Sequence, residues 1–193
     1  MQGIIFDLDG TLVNSRLDFD ALRAETGCPE SLGLLEFMDT LSCPQQRAQT
    51  AAIIDRHEQE GAVASTWITG AQRYLEALVA AGVPVGIVTR NSRSVVAKVQ
   101  QKLLLPDIPV ITREDALPKP DPAGLLQLAR LWQLPVHRLA YIGDFRFDLE
   151  AARNAGMLAV LYAEQSGGDD EHLADLVFSH FDQLAELLPV KRD

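Results

Sequence analysis

The feature that most limits the fold of this chain is an alternation of two kinds of apolar pattern. Short unbroken apolar runs read as buried strands: Gly3 to Phe6, Val83 to Thr89, Ala140 to Gly143 and Leu158 to Tyr162, with a weaker one at Val110-Ile111. Between them, apolar residues recur at helical spacing. Ala71, Tyr74, Leu75 and Leu78 are closed by Gly82, and Leu149 with Ala152 is closed by Gly156. Val95, Val96, Val99 and Leu103 form another such set, as do Leu125, Leu128, Ala129 and Trp132. Strand alternating with helix predicts a parallel sheet covered by helices on both faces, an α/β architecture whose ligands bind beyond the carboxyl ends of the strands. Leu176-Val177-Phe178 is expected to add an edge strand, and Phe181, Leu184, Ala185 and Leu188 a last amphipathic helix.

One stretch breaks the rhythm. From Ser15 to Thr69 the pattern is helical with no strand candidate: Leu34, Phe37, Met38 and Leu41 share a face, and a polar helix is expected from Pro44 to about Glu60. This insertion leaves directly after the first strand, so a lid over the site is favoured over a helical pair packed for stability alone. Trp67 and Trp132 sit on helical patterns and are expected to pack in cap or core.

The 193 residues allow one domain plus a small insertion. Hydrophobic residues at 47% and charged residues at 23% are usual for a soluble domain. The longest apolar runs fall far short of the roughly 18 residues of a membrane span. With no basic region and apolar stretch at the start, a cytoplasmic location is expected. Cys28 and Cys43 match no metal or redox spacing and are expected to be free thiols. The 27 acidic against 17 basic residues give a net charge of −10, which disfavours nucleic acid as a partner. An anionic small-molecule partner would need a cation or a concentrated basic site to enter.

The chemistry-bearing residues follow strand ends. In Phe6-Asp7-Leu8-Asp9-Gly10-Thr11-Leu12, two carboxylates stand where a hydrophobic strand runs into a glycine turn. Acids at the edge of a core are tolerated when they bind a cation or take part in chemistry. A helix-loop-helix calcium site is excluded, because its sixth and twelfth positions require glycine and glutamate where this chain has Leu12 and Asp18. A second pair, Asp144 and Asp148, follows Ile142-Gly143, with Asp148 one helical turn on and pointing back. Thr89 and Arg90 close another strand run with a hydroxyl, backbone N–H groups and a fixed cation. Lys119 lies just before Pro120-Asp121-Pro122, where Asp121 is suited to cap a helix.

In order and spacing, Asp7-Leu8-Asp9-Gly10-Thr11, then Thr89, then Lys119-Pro120, then Gly143-Asp144 with Asp148 resemble the four motifs of the haloacid dehalogenase-like superfamily. The resemblance covers nearly the whole chain. It implies a Rossmann-like sheet with a cap, and a helical cap between the first two motifs is similar to the phosphoglycolate phosphatase-like branch. The implied division is a catalytic core at residues 1–14 and 70–193 and a cap at 15–69. Asp7 would be the nucleophile forming an aspartyl phosphate, and Asp9 the general acid and base. Mg²⁺ would be held by Asp7, the Asp9 carbonyl and Asp144, with Asp148 as a further ligand or a support. Thr89 and the Arg90 amide would bind the phosphoryl group, while Lys119 neutralises it and positions Asp7.

Haloacid dehalogenases lack an acid at the place of Asp9, so the resemblance favours phosphoryl transfer over dehalogenation. The implied activity is a Mg²⁺-dependent phosphatase acting on a small phosphorylated metabolite. A sugar-phosphate mutase with the same motifs and a non-catalytic phosphate-binding module are the alternatives. Asn14 stands where phosphoglycolate phosphatase-like members often carry an acid. Arg16, Arg90 and Arg146, near strand ends, are candidates to grip a substrate carboxylate.

Overall fold

A computed structural model describes residues 1–165 and 167–189; the expected core range 70–193 therefore includes Ser166 and residues 190–193, which lie outside the described residues. In chain order the elements are β1 (Gly3–Phe6), β2 (Val13–Asn14), α1 (Phe19–Thr26), α2 (Leu34–Thr40), α3 (Pro44–Ala64), β3 (Thr66–Trp67), α4 (Ala71–Ala80) and β4 (Val85–Val88). Then come α5 (Arg93–Leu103), β5 (Val110–Ile111), α6 (Ala123–Trp132), β6 (Leu139–Gly143), α7 (Arg146–Ala155), β7 (Leu158–Tyr162), β8 (Leu176–Phe178) and α8 (Leu184–Leu187).

Six strands form one parallel sheet in the order β5-β4-β1-β6-β7-β8. The expected α/β architecture is present. Alternation along β1 sends Ile4 and Phe6 to one face, where they meet Leu75 of α4 and Val95 and Val99 of α5. Ile5 faces the other way, against Leu125 and Leu128 of α6 and Leu149 and Ala152 of α7. Burying each such aliphatic side chain contributes about 1.5–3 kcal/mol, so both faces of the sheet are tied to it by the same periodicity that the sequence displays.

Helix ends follow local chemistry. Asp18 accepts from the Ala21 amide and Ser92 Oγ from the Val95 amide, capping α1 and α5, and Gly156 closes α7 at φ +71°. Ahead of α6, the Asp121 carboxylate accepts from the Ala123 amide as its position suggests. Among the described residues no helix is long and apolar enough to cross a membrane. Both cysteines are free.

Two sequence expectations need correction. The stretch from Ser15 to Thr69 does contain a strand, since Thr66–Trp67 pairs antiparallel with Val13–Asn14 and closes the base of the α1–α3 segment. Trp67 therefore lies in β3 and not on a helix. Two residues are too few for a period of two to register against flanking helical patterns. The segment also holds three helices; α1 escaped notice because its eight residues bury only Leu22.

Candidate active site

Register brings the acids together. Phe6 is level with Ile142 of β6 on one side and Ile87 of β4 on the other, so the residues just beyond these strands share one edge of the sheet. The chain leaves β1 for β4 and β5 on one side, then returns to β6 on the other. That reversal opens a crevice at the carboxyl end of β1. Asp7 is pinned there by its amide, which donates to the Ile142 carbonyl at 2.8 Å.

Carboxylate oxygens of Asp7, Asp144 and Asp148 lie within 4.8 Å of one another. Two glycines make this crowding possible. Gly10 turns the chain at φ +81°, and a Cβ on it would strike the Asp144 carboxylate; a Cβ on Gly143 would strike Asp148.

Lys119 sits between the acids, 4% exposed. Its ammonium donates to Asp7 Oδ1 at 2.6 Å and to Asp148 Oδ1 at 2.5 Å. Asp148 is held from every side: the Phe145 amide donates to Oδ2 at 3.0 Å, and the Tyr141 hydroxyl shares its proton between Asp148 Oδ1, at 3.0 Å, and the Val88 carbonyl, at 2.9 Å. Thr11 Oγ1 donates to Asp144 Oδ1 at 2.9 Å. Asp9 is held by Asn91 Nδ2 and by Ser15. The Asn91 amide donates to Thr89 Oγ1 at 3.1 Å, which leaves the Thr89 hydroxyl proton for another acceptor.

Burial governs the electrostatics. It raises Asp7 well above the usual carboxylate range, a rise that Lys119 opposes and Asp148 and Asp144 reinforce. Asp144 is pushed up to about 7, first by burial and then by the charge of Asp148. Asp9 is raised by burial, against its hydrogen bonds from Asn91 and Ser15. For Lys119, burial pulls downward but the charges of Asp148 and Asp7 outweigh it and hold the ammonium above its ordinary value. Three acids against one lysine leave the edge short of positive charge, and the deficit consists of hard oxygen donors, the kind that suits Mg²⁺.

Across the crevice the α1–α3 segment roofs a cavity of about 640 Å³ that Asp7, Asp9, Thr89, Lys119, Asp144 and Asp148 line from below. Arg16, Arg90 and Arg146 line it too, but two of them are already engaged. Arg90 Nη2 lies 2.7 Å from both oxygens of Glu36 in α2 and its guanidinium stacks 4.6 Å above the Phe147 ring. Arg146 pairs with Glu150 one turn along α7 at 2.6 Å. Glu58 of α3 also reaches the cavity, its Oε1 accepting from Arg113 at 2.6 Å.

Sequence reasoning passed over Asn91, Tyr141, Thr11, Glu58 and Arg113. Asn91 and Thr11 lay inside motifs already singled out, whereas Tyr141 reads as an ordinary strand residue. Nothing local distinguishes Glu58 or Arg113 from solvated helix and loop charges.

A parallel sheet with acids converging at a strand reversal, a buried lysine between them and a helical roof defines a phosphoryl-handling hydrolase architecture. The sequence profile of the haloacid dehalogenase-like hydrolases matches residues 4–162, and the chain belongs to that family. It is 27% identical over 220 residues to N-acetylmuramic acid 6-phosphate phosphatase of Pseudomonas aeruginosa, covering 97% of this chain and 95% of the relative. It is 28% identical over 215 residues to phosphoglycolate phosphatase of Cereibacter sphaeroides, covering 97% and 98%. A hydrolase from Pseudomonas syringae shares the fold, with a TM-score of 0.80 at 22% identity over 99% of this chain and 100% of that one.

Proposed function

We propose that the protein is a Mg²⁺-dependent phosphatase that hydrolyses a small phosphomonoester through an aspartyl phosphate on Asp7. The observation that carries this reading is the bridge of Lys119 between Asp7 and Asp148, with Asp144 in the same cluster. Relatives named as phosphatases over nearly their whole length support it.

Lys119 holds Asp7 by Oδ1, so Oδ2 is the oxygen available for attack on phosphorus. As the bond to the leaving oxygen breaks, Asp9 supplies the proton; its burial favours the protonated form needed for that task. In the second half Asp9 takes a proton from water, which attacks the phosphorus and frees Asp7 and inorganic phosphate. The Thr89 hydroxyl and the Arg90 amide would donate to the phosphoryl oxygens, and Lys119 offsets their charge.

Asp7, Asp144 and the Asp9 carbonyl would hold Mg²⁺. Both oxygens of Asp148 already accept hydrogen bonds, so it serves better to brace Lys119 and the cluster from behind. When bound, the ion supplies Lewis-acid stabilisation of the phosphoryl charge and neutralises acids that otherwise repel one another. The residues divide into a core, 1–14 and 70–193, and a helical cap, 15–69, that shields the reaction from water.

Asp7→Asn should abolish phosphate release from p-nitrophenyl phosphate, a loss of at least about 10³-fold, with an unchanged circular dichroism spectrum. Retained turnover would remove the nucleophile assignment. Release of inorganic phosphate from a sugar phosphate, rather than its isomerisation, separates this reading from a mutase.

A further inference from the structure

The cavity extends beyond the room a phosphoryl group needs, and its roof carries a second kind of information. Leu17, Leu22, Leu35 and Ile54 wall the side formed by the α1–α3 segment, an apolar surface that favours the carbon skeleton of a substrate over a second charged group. Three of the four arginines that line the cavity already have partners. Arg90 lies against both oxygens of Glu36, Arg146 pairs with Glu150, and Arg23 donates to the carbonyls of Pro29 and Leu32.

Glu58 tips the balance further. Its residue is 8% exposed, Arg113 engages only Oε1, and Oε2 is buried with no hydrogen-bond partner among the described residues. Arg113 itself is not among the described residues that line the cavity, and its Nη1 serves both Glu58 and the Arg90 carbonyl, the latter at 3.1 Å. Glu58 is near enough to Asp9 for the two charges to act on one another. A carboxylate on the leaving group would thus bring another negative charge beside a buried Glu58 oxygen that lacks a partner among the described residues and whose ion-pair partner, Arg113, is engaged through the other oxygen. Arg16 is the exception among the cavity's arginines: it is exposed, with no carboxylate partner among the described residues.

We propose, on the basis of the phosphatase reading above, that the cavity selects phosphomonoesters whose organic part is uncharged and larger than two carbons, and that Glu58 is the residue that turns carboxylate-bearing substrates away. Size works through the apolar roof, and charge works through Glu58. The chain would then differ in preference from the relatives named for phosphoglycolate.

The test is a matched pair, phosphoglycolate and 2-hydroxyethyl phosphate, which share a length and differ in charge, extended by 4-hydroxybutyl phosphate. Phosphate release should give a kcat/KM for hydroxyethyl phosphate at least about tenfold above that for phosphoglycolate, with the four-carbon ester higher again. Glu58→Gln, which keeps an oxygen for Arg113, should shrink the ratio within the pair about tenfold. A wild-type preference for phosphoglycolate overturns the proposal, and its loss in Arg16→Ala would identify the group that receives the carboxylate. An unchanged ratio in a folded Glu58→Gln variant overturns the role of Glu58; if that variant does not fold, Glu58→Asp, which keeps the charge, should keep the wild-type ratio, and a ratio that collapses in it overturns the charge-based role. Absence of any Asp7-dependent hydrolysis, p-nitrophenyl phosphate included, counts against the phosphatase reading itself.

Discussion

The floor and the roof of the cavity are built on different terms. On the floor, the central charged groups are gripped from two or three directions by backbone and buried side chains: Lys119 by Asp7 and Asp148, and Asp148 in turn by Lys119, Tyr141 and the Phe145 amide. On the roof, α2 buries no residue, and an ion pair of Glu36 with Arg90 reaches the floor, its side chains keeping 35% and 21% of their surface exposed. Strand register makes the floor rigid, and a fixed geometry is what charge stabilisation at a transition state demands. The rest of the roof is not so loose, since α3 is tied down by the largely buried pair of Glu58 with Arg113; it is α2 that is held by contacts that cost little to break, as suits an element that can move to admit a substrate.

The largest effect expected from this contrast is on the floor. Lys119→Met should lower kcat by about 10³-fold, because it removes the cation that holds Asp7 and that, on the proposed mechanism, would offset the phosphoryl charge. Steady-state kinetics alongside a melting curve measure it. A loss no greater than that of a roof variant would break the distinction between the two regions.

A smaller effect concerns pH. Burial and mutual repulsion raise Asp144 from 3.8 to about 7 and move Asp7 in the same direction. The folded chain therefore keeps protons that the unfolded chain has already released, and without metal its stability should fall as pH rises through that window. Melting in EDTA should show Tm dropping by about 5 °C between pH 5 and pH 8, with Mg²⁺ recovering most of it at the upper end. A flat metal-free profile would mean that the acids do not strain the floor.

The smallest effect belongs to the roof. Glu36→Gln removes a partly exposed ion pair, worth under about 1 kcal/mol. It should raise KM a few-fold with kcat within about twofold of wild type, and the KM difference should fade in high salt. A collapse of kcat would show that Arg90 needs Glu36 to keep the Thr89 loop in place, so that roof and floor act as one.

The sequence revealed these two regions unequally. Asp7, Asp9, Asp144 and Lys119 were legible because each follows a strong local signal: an apolar strand ending in glycine, or a proline-flanked helix start. Tyr141 was not, since its position in β6 reads as core and only the approach of Asp148 from α7 gives its hydroxyl a role. For Arg90 and Arg146 the residue type and location suggested a grip on substrate, but the partners that occupy them, Glu36 and Glu150, are matters of packing. Glu58 was invisible for the same reason, as its neighbours Arg113 and Asp9 come from remote parts of the chain.

By itself, then, the sequence determined the alternating α/β architecture, the place of the helical segment after the first strand, and the acids and lysine at the strand ends. These follow from periodicity and from short motifs, which act over a few residues. Tertiary structure alone decided which acids face one another, which arginines are already paired, and how large and how apolar a chamber lies above Asp7. Those depend on distances between residues far apart in the chain, and a linear pattern carries no measure of such distances until the strands have taken their order in the sheet.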